Sequence, residues 1–302
     1  MLKFLKNWTL PLAMFAGAIG YFLLANVTIL EPAKPFVNWL IAVLTPFLIF
    51  AQLLLTFCKI EPKELLPKAW HVWLLSIQAV SSGIIALLLI FCPMEEAYRD
   101  IFEGAMVCLI CPTATAAAVI TGKLGGSAST LTTYTLLSNV LAAIAVPLVF
   151  PLVEPHADIT FVVAFLKILS KVFPLLLAPF FIALLFRYYI PSVHRLLSKY
   201  HGVAFYLWAV ALTIVTGQTV RSLVTAAADV SIEIMIALAG LATCCLQFYF
   251  GKRIGSAYHD RISAGQALGQ KNTVLAIWMA VTYLNPLSLS LIHISEPTRP
   301  RL

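Results

Sequence analysis

Charge is what this chain has least of. Asp, Glu, Lys and Arg make up only 11% of 302 residues, against roughly 25% in a water-soluble domain. A soluble fold would lack the side chains to cover its surface. With 61% hydrophobic residues and a mean hydropathy of +0.94, the chain reads as an integral membrane protein. Acidic residues are missing altogether from residues 105–150 and 262–283, so neither stretch supplies a carboxylate for metal or acid–base chemistry. His71, His156, His194, His201, His259 and His293 map to loops or ends, and none lies four residues from another. The reading is therefore not an enzyme. Cys108 and Cys111 have the spacing of a redox or metal pair, but no second pair or histidine lies near them in their apolar run. They read as thiols packed between helices, and no metal or cofactor is expected. No small-x-small cleavage site follows the first apolar run, so that run is a retained span rather than a signal peptide. The net charge of +7 comes from 20 basic residues scattered between apolar runs. That scatter excludes a nucleic-acid face and marks topology instead.

What the chain does have is apolar runs of spanning length, about 20 residues each. They fall at residues 8–27, 37–57, 72–91, 101–123, 127–151, 171–186, 203–220, 232–250 and 263–283, with an amphipathic approach helix at 159–171 carrying Lys167 and Lys171. Alternating these nine spans puts twelve basic residues in the loops on the side of the N-terminus, among them Lys59, Lys63, Lys68, Arg187, Lys252 and Arg253. The opposite side receives three, Lys34, Arg99 and Arg221. The N-terminus is thus expected in the cytoplasm, and the location is a plasma membrane, a bacterial inner membrane, crossed many times.

Two of the spans are interrupted. The fourth carries Pro112 in its middle, followed by small residues and Gly122, Gly125 and Gly126; the ninth carries Gln270, Lys271 and Asn272 between apolar runs. A proline inside a helix removes a hydrogen bond, and non-helical backbone at membrane depth is tolerated only where protein or a water-filled cavity supports it. The breaks are candidate binding sites. Their spacing of five spans gives the halves opposite orientations, as in an inverted-repeat secondary transporter, which calls for ten spans. The expected fold is all-α: residues 1–158 form a first repeat of five spans, and 159–288 a second repeat of four, with the tenth helix missing. Both halves lie in one chain, so a monomer is expected. Residues 289–302, LSLIHISEPTRPRL, read as translated sequencing-adapter sequence, so the natural chain is expected to be longer.

Around the breaks, over roughly residues 8–288, the chain resembles the bile acid:sodium symporter family. The most specific part is Cys111-Pro112-Thr113-Ala114-Thr115-Ala116-Ala117-Ala118-Val119. The resemblance implies a crossing of the fourth and ninth helices where sodium and an organic anion bind. It implies binding roles for Gln78, Thr113, Thr115, Thr132, Thr135, Gln270, Lys271, Asn272 and Thr273, with Gln78, Thr135 and Asn272 as weak sodium ligands. Other ligand positions are lost: a Ser-Asn pair falls on Ala117 and Ala118, a hydroxyl position on Leu131, the shared glutamate on Ala267 and a glutamine on Lys271. Sodium coupling is accordingly left open against proton coupling. Lys271 stands either as a counter-charge to an anion, as a proton carrier, or as a side chain reaching for the membrane surface. The function expected is secondary transport of a bile acid, steroid conjugate or small carboxylate across the bilayer; the alternative is a membrane receptor that binds the anion without carrying it.

Overall fold

The computed structural model describes residues 8–155, 159–200, 203–225 and 230–284. Expectations that rest on Lys3, Lys6, His156, His201, His293 and residues 289–302 lie outside them. Within the described residues the chain is helical, with one isolated bridge between extended residues. The helices are α1 (Thr9–Asn26), α2 (Lys34–Cys58), α3 (Ala69–Phe91), α4 (Glu96–Ile110), α5 (Ala117–Lys123), α6 (Ala128–Val153), α7 (Phe161–Tyr189), α8 (Pro191–Lys199), α9 (Val203–Thr225), α10 (Val230–Ala257), α11 (Arg261–Gly269) and α12 (Thr273–Tyr283). Among the described residues, five segments are long and apolar enough to cross a membrane: Thr28–Cys58, Ala69–Phe91, Ala128–Val153, Phe161–Tyr189 and Val203–Thr225. Large apolar side chains such as Phe47, Trp73, Phe91 and Phe181 are exposed along these helices, as lipid-facing surface requires. The chain is a multi-pass helical membrane protein.

Two local expectations are corrected. The approach helix expected at 159–171 is not separate from the span at 171–186; α7 runs unbroken over 29 residues through Pro174 and Pro179, with Lys167 and Lys171 exposed along it. The basic loop after it contains α8, which buries none of its residues. α4 begins at Glu96, ahead of the expected start of the fourth span at residue 101.

The halves of the broken spans sort into two cores. Met106 and Ile110 of α4 pack with Leu275 and Met279 of α12, Leu53 of α2, Phe150 of α6 and Leu176 of α7. Ala117 of α5 packs with Ala264 and Leu268 of α11, Trp70 and Leu74 of α3, and Leu131 and Tyr134 of α6. Each core thus holds one half of each broken span. Polar contacts at the bundle's ends respect the same division. Lys68 pairs with Asp260 at 3.0 Å, and Ser127 N–H donates to Ser263 Oγ at 2.8 Å, both beside the second core. At the other end Arg99 bridges Glu103 (3.1 Å) and Glu154 (3.0 Å) and donates to the carbonyls of Leu89 and Val153. One guanidinium ties together the ends of α3, α4 and α6.

Two glycine sites are dictated by geometry. α5 ends in a Schellman turn: Gly125 takes φ = 83°, Gly126 N–H donates to Thr121 O at 2.9 Å and Gly125 N–H to Gly122 O at 3.3 Å. On α1, Gly17 lies against α9 so closely that a Cβ would sit 2.2 Å from the Thr213 carbonyl oxygen, while Gly20, one turn on, has open space around it. Gly17→Ala is therefore expected to destabilise the protein by roughly 1–3 kcal/mol through forced separation of α1 and α9. Gly20→Ala is expected to be neutral or to add up to about 1 kcal/mol of helix propensity. Thermal unfolding of the two purified variants checks this, and equal melting temperatures would contradict the close crossing.

Candidate functional site

Pro112 has no amide hydrogen, so the Cys108 carbonyl loses its helical donor. The next two amides turn away as well: Thr113 N–H donates to Ser138 Oγ at 3.3 Å and Ala114 N–H to Gln270 O at 2.9 Å. α4 therefore ends inside the bundle with its last carbonyls open, in surroundings where an unpaired carbonyl costs about 1–3 kcal/mol. Each finds a donor from another element. Gln247 Nε2 of α10 donates to Cys108 O at 3.3 Å, Lys271 Nζ to Leu109 O at 3.2 Å, and Gln78 Nε2 of α3 to Ile110 O at 2.9 Å and Cys111 O at 3.2 Å. Asn272 N–H donates to Pro112 O at 2.9 Å.

The last of these bonds belongs to a pair. Ala114 N–H to Gln270 O and Asn272 N–H to Pro112 O, both 2.9 Å, form an antiparallel bridge between Thr113 and Lys271. The two breaks therefore close on one another. Thr113 Oγ1 donates across the junction to Ala267 O, near the end of α11, at 2.7 Å, and Cys111 Sγ donates to Asn272 O at 3.2 Å. Asn272 Oδ1 accepts from Leu275 N–H at 3.2 Å and so caps α12.

The structure gathers some of the candidate residues and separates others. Thr113, Gln270, Lys271 and Asn272 meet at the bridge, and Gln78 reaches it from α3. Gln78 is fully committed, since its Oε1 also accepts from Tyr134 Oη at 3.1 Å. Thr115 is half-buried in the link before α5, and Thr273 is an exposed residue at the start of α12. Thr132 and Thr135 donate to their own helix, to Ala128 O at 2.7 Å and Leu131 O at 3.0 Å, which leaves their lone pairs as acceptors. Gln270 Oε1 is buried without a hydrogen-bond partner. Lys271 does not reach for the surface: its ammonium rests on a backbone carbonyl, and none of the ion pairs among the described residues includes it.

Sequence reasoning picked the hydroxyl-rich start of α6 but not its working members. Tyr134 and Ser138 make the contacts, and their spacing of four residues places them on one helical face. Gln247 carried no such signal. A cavity of about 590 Å³ lies apart from the junction, between α1, α2 and α9, and touches α12 at Val281. Its walls include Leu24, Ile41 and Ile214, and it also takes in Lys34, Asn38, Gln218 and Arg221. Arg221 Nη1 donates to Asn38 Oδ1 at 3.0 Å.

Gln78→Leu would leave the Ile110 and Cys111 carbonyls and the Tyr134 hydroxyl without their partner. The expected loss is roughly 2–4 kcal/mol, while Tyr134→Phe, which removes one bond and leaves Gln78 on its carbonyls, should cost about 1 kcal/mol. Thermal unfolding decides between this account and one in which Gln78 waits for a ligand; in the second case Gln78→Leu unfolds like the wild type.

No protein-family model matches the chain, and no curated protein matches it.

Proposed function

We propose that the protein is a secondary transporter that carries an organic anion across the membrane by alternating access, built as an inverted repeat in the manner of the bile acid:sodium symporters. The observation that carries this reading is the antiparallel bridge between the two breaks, with α4 and α12 in one core and α5 and α11 in the other. Transporters of this type place their working site where two discontinuous helices meet near the bilayer midplane, because half-helix ends there offer dipoles to a solute. In this reading the first repeat is residues 1–158 and the second begins at residue 159. The N-terminus is cytoplasmic, the protein works as a monomer in a bacterial inner membrane, and no bond is made or broken.

The cavity between α1, α2 and α9 supports an anionic solute. It combines apolar walls with Arg221, and Val281 joins it to the second broken span; Lys34 at its edge is paired with Glu31 at 3.4 Å. A rigid amphipathic acid fits such a mixture, with its carboxylate or sulfonate on Arg221 and its body on the apolar walls.

Uptake of radiolabelled bile acids, steroid sulfates and small carboxylates into proteoliposomes tests the proposal. Accumulation above protein-free liposomes is expected for at least one of these anions, and Arg221→Gln should weaken its apparent affinity by about tenfold, the value of one charge-assisted hydrogen bond. Binding of the anion to purified protein with no accumulation would overturn transport in favour of a receptor.

A further inference from the structure

A helix that stops inside an apolar bundle presents a partial negative charge there, made by its last unpaired carbonyls. Such an end is a natural seat for a cation, and the broken helices of membrane transporters use it so. In this protein the end of α4 is already served by a cation of the chain itself. Lys271 Nζ lies 3.2 Å from the Leu109 carbonyl. The backbone of Lys271 is pinned opposite Thr113 by the bridge, so the ammonium is delivered from a fixed point rather than from a loop. The carbonyls on either side, those of Cys108 and Ile110, are taken by neutral amide donors from Gln247 and Gln78. Residues 105–150 and 262–283 contain no carboxylate to neutralise a second cation.

We propose that the Lys271 ammonium is a tethered cation that fills the cation seat at the end of α4, so that the junction is complete without a soluble sodium ion. The proposal rests on reading the junction as the working site of a transporter, and its consequence for that function is uptake that needs no sodium gradient. Charge, and not only hydrogen bonding, is what the seat requires. An uncharged side chain in the place of Lys271 leaves the Leu109 carbonyl oxygen without its cation, and a small free cation that keeps part of its own water shell then takes that place. Sodium meets oxygen ligands readily, and a primary ammonium reproduces the lost group.

The test is thermal stability of the purified protein, which does not depend on any transport assay. Wild type, Lys271→Arg, Lys271→Gln and Lys271→Ala are melted in sodium, choline and n-butylammonium chloride at matched ionic strength. Wild type and Lys271→Arg should melt at the same temperature in all three salts. Lys271→Gln keeps a donor but loses the charge, and it should melt roughly 5 °C lower in choline and recover with rising sodium by mass action. Lys271→Ala, which also removes the volume of the side chain, should recover in n-butylammonium. Sodium-specific stabilisation of the wild type would overturn the proposal, because the seat would then be open. So would a Lys271→Gln variant as stable as wild type in choline, because charge would then not matter. If Lys271→Ala fails to fold, the Lys271→Gln and Lys271→Arg pair still decides. Absence of uptake in proteoliposomes would count against transport alone and would leave these melting results standing.

Discussion

A helix that ends inside an apolar bundle must find donors for its last carbonyls, and the rest of this structure is arranged to meet that demand at α4. Buried among apolar side chains, those carbonyls take their donors from the protein. The donors are Gln78 from α3, Gln247 from α10, the Lys271 side chain and the Asn272 backbone amide, while Ser138 of α6 accepts from the Thr113 amide. Removing any one contributor leaves a polar group unpaired in a low-dielectric setting, which makes the junction cooperative rather than a sum of contacts.

The same demand explains why there are two breaks. Pro112 opens the α4 end, and the residues after it lack helical partners for their own amides. A second break running in the opposite sense supplies what the first lacks, one amide and one carbonyl in each direction. The pairing of Thr113 with Lys271 fixes where the two spans cross. Once that point is fixed, each half-helix falls on a defined side, and the two hydrophobic cores follow from it. In the proposed transporter, function enters at the same place, because a junction held by short hydrogen bonds between half-helices can be rearranged as a unit when the surrounding helices move.

The long spans were legible because a run of about 20 apolar residues has few alternatives. The breaks were legible from Pro112 and from the polar run Gln270-Lys271-Asn272, each a local violation of that pattern. What was hidden is pairing. Nothing in the sequence says that Gln78 turns to the carbonyls of Ile110 and Cys111, or that Gln247, an amide deep in an apolar span, serves Cys108. The family resemblance pointed to Thr132 and Thr135, whose protons stay on their own helix, whereas the face carrying Tyr134 and Ser138 makes the contact. The continuity of α7 through Pro174 and Pro179 was also hidden, since tertiary packing overrides proline's local preference there.

Amide hydrogen exchange at the two breaks tests the central claim most directly. The amides of Ala114 and Asn272 lie outside any helix, yet they donate across the junction at 2.9 Å. If the breaks close on each other, both exchange as slowly as amides in the middle of α6. Exchange at the rate of free loop amides, with the flanking helices still protected, would mean that the breaks stand open and that the junction described here does not form.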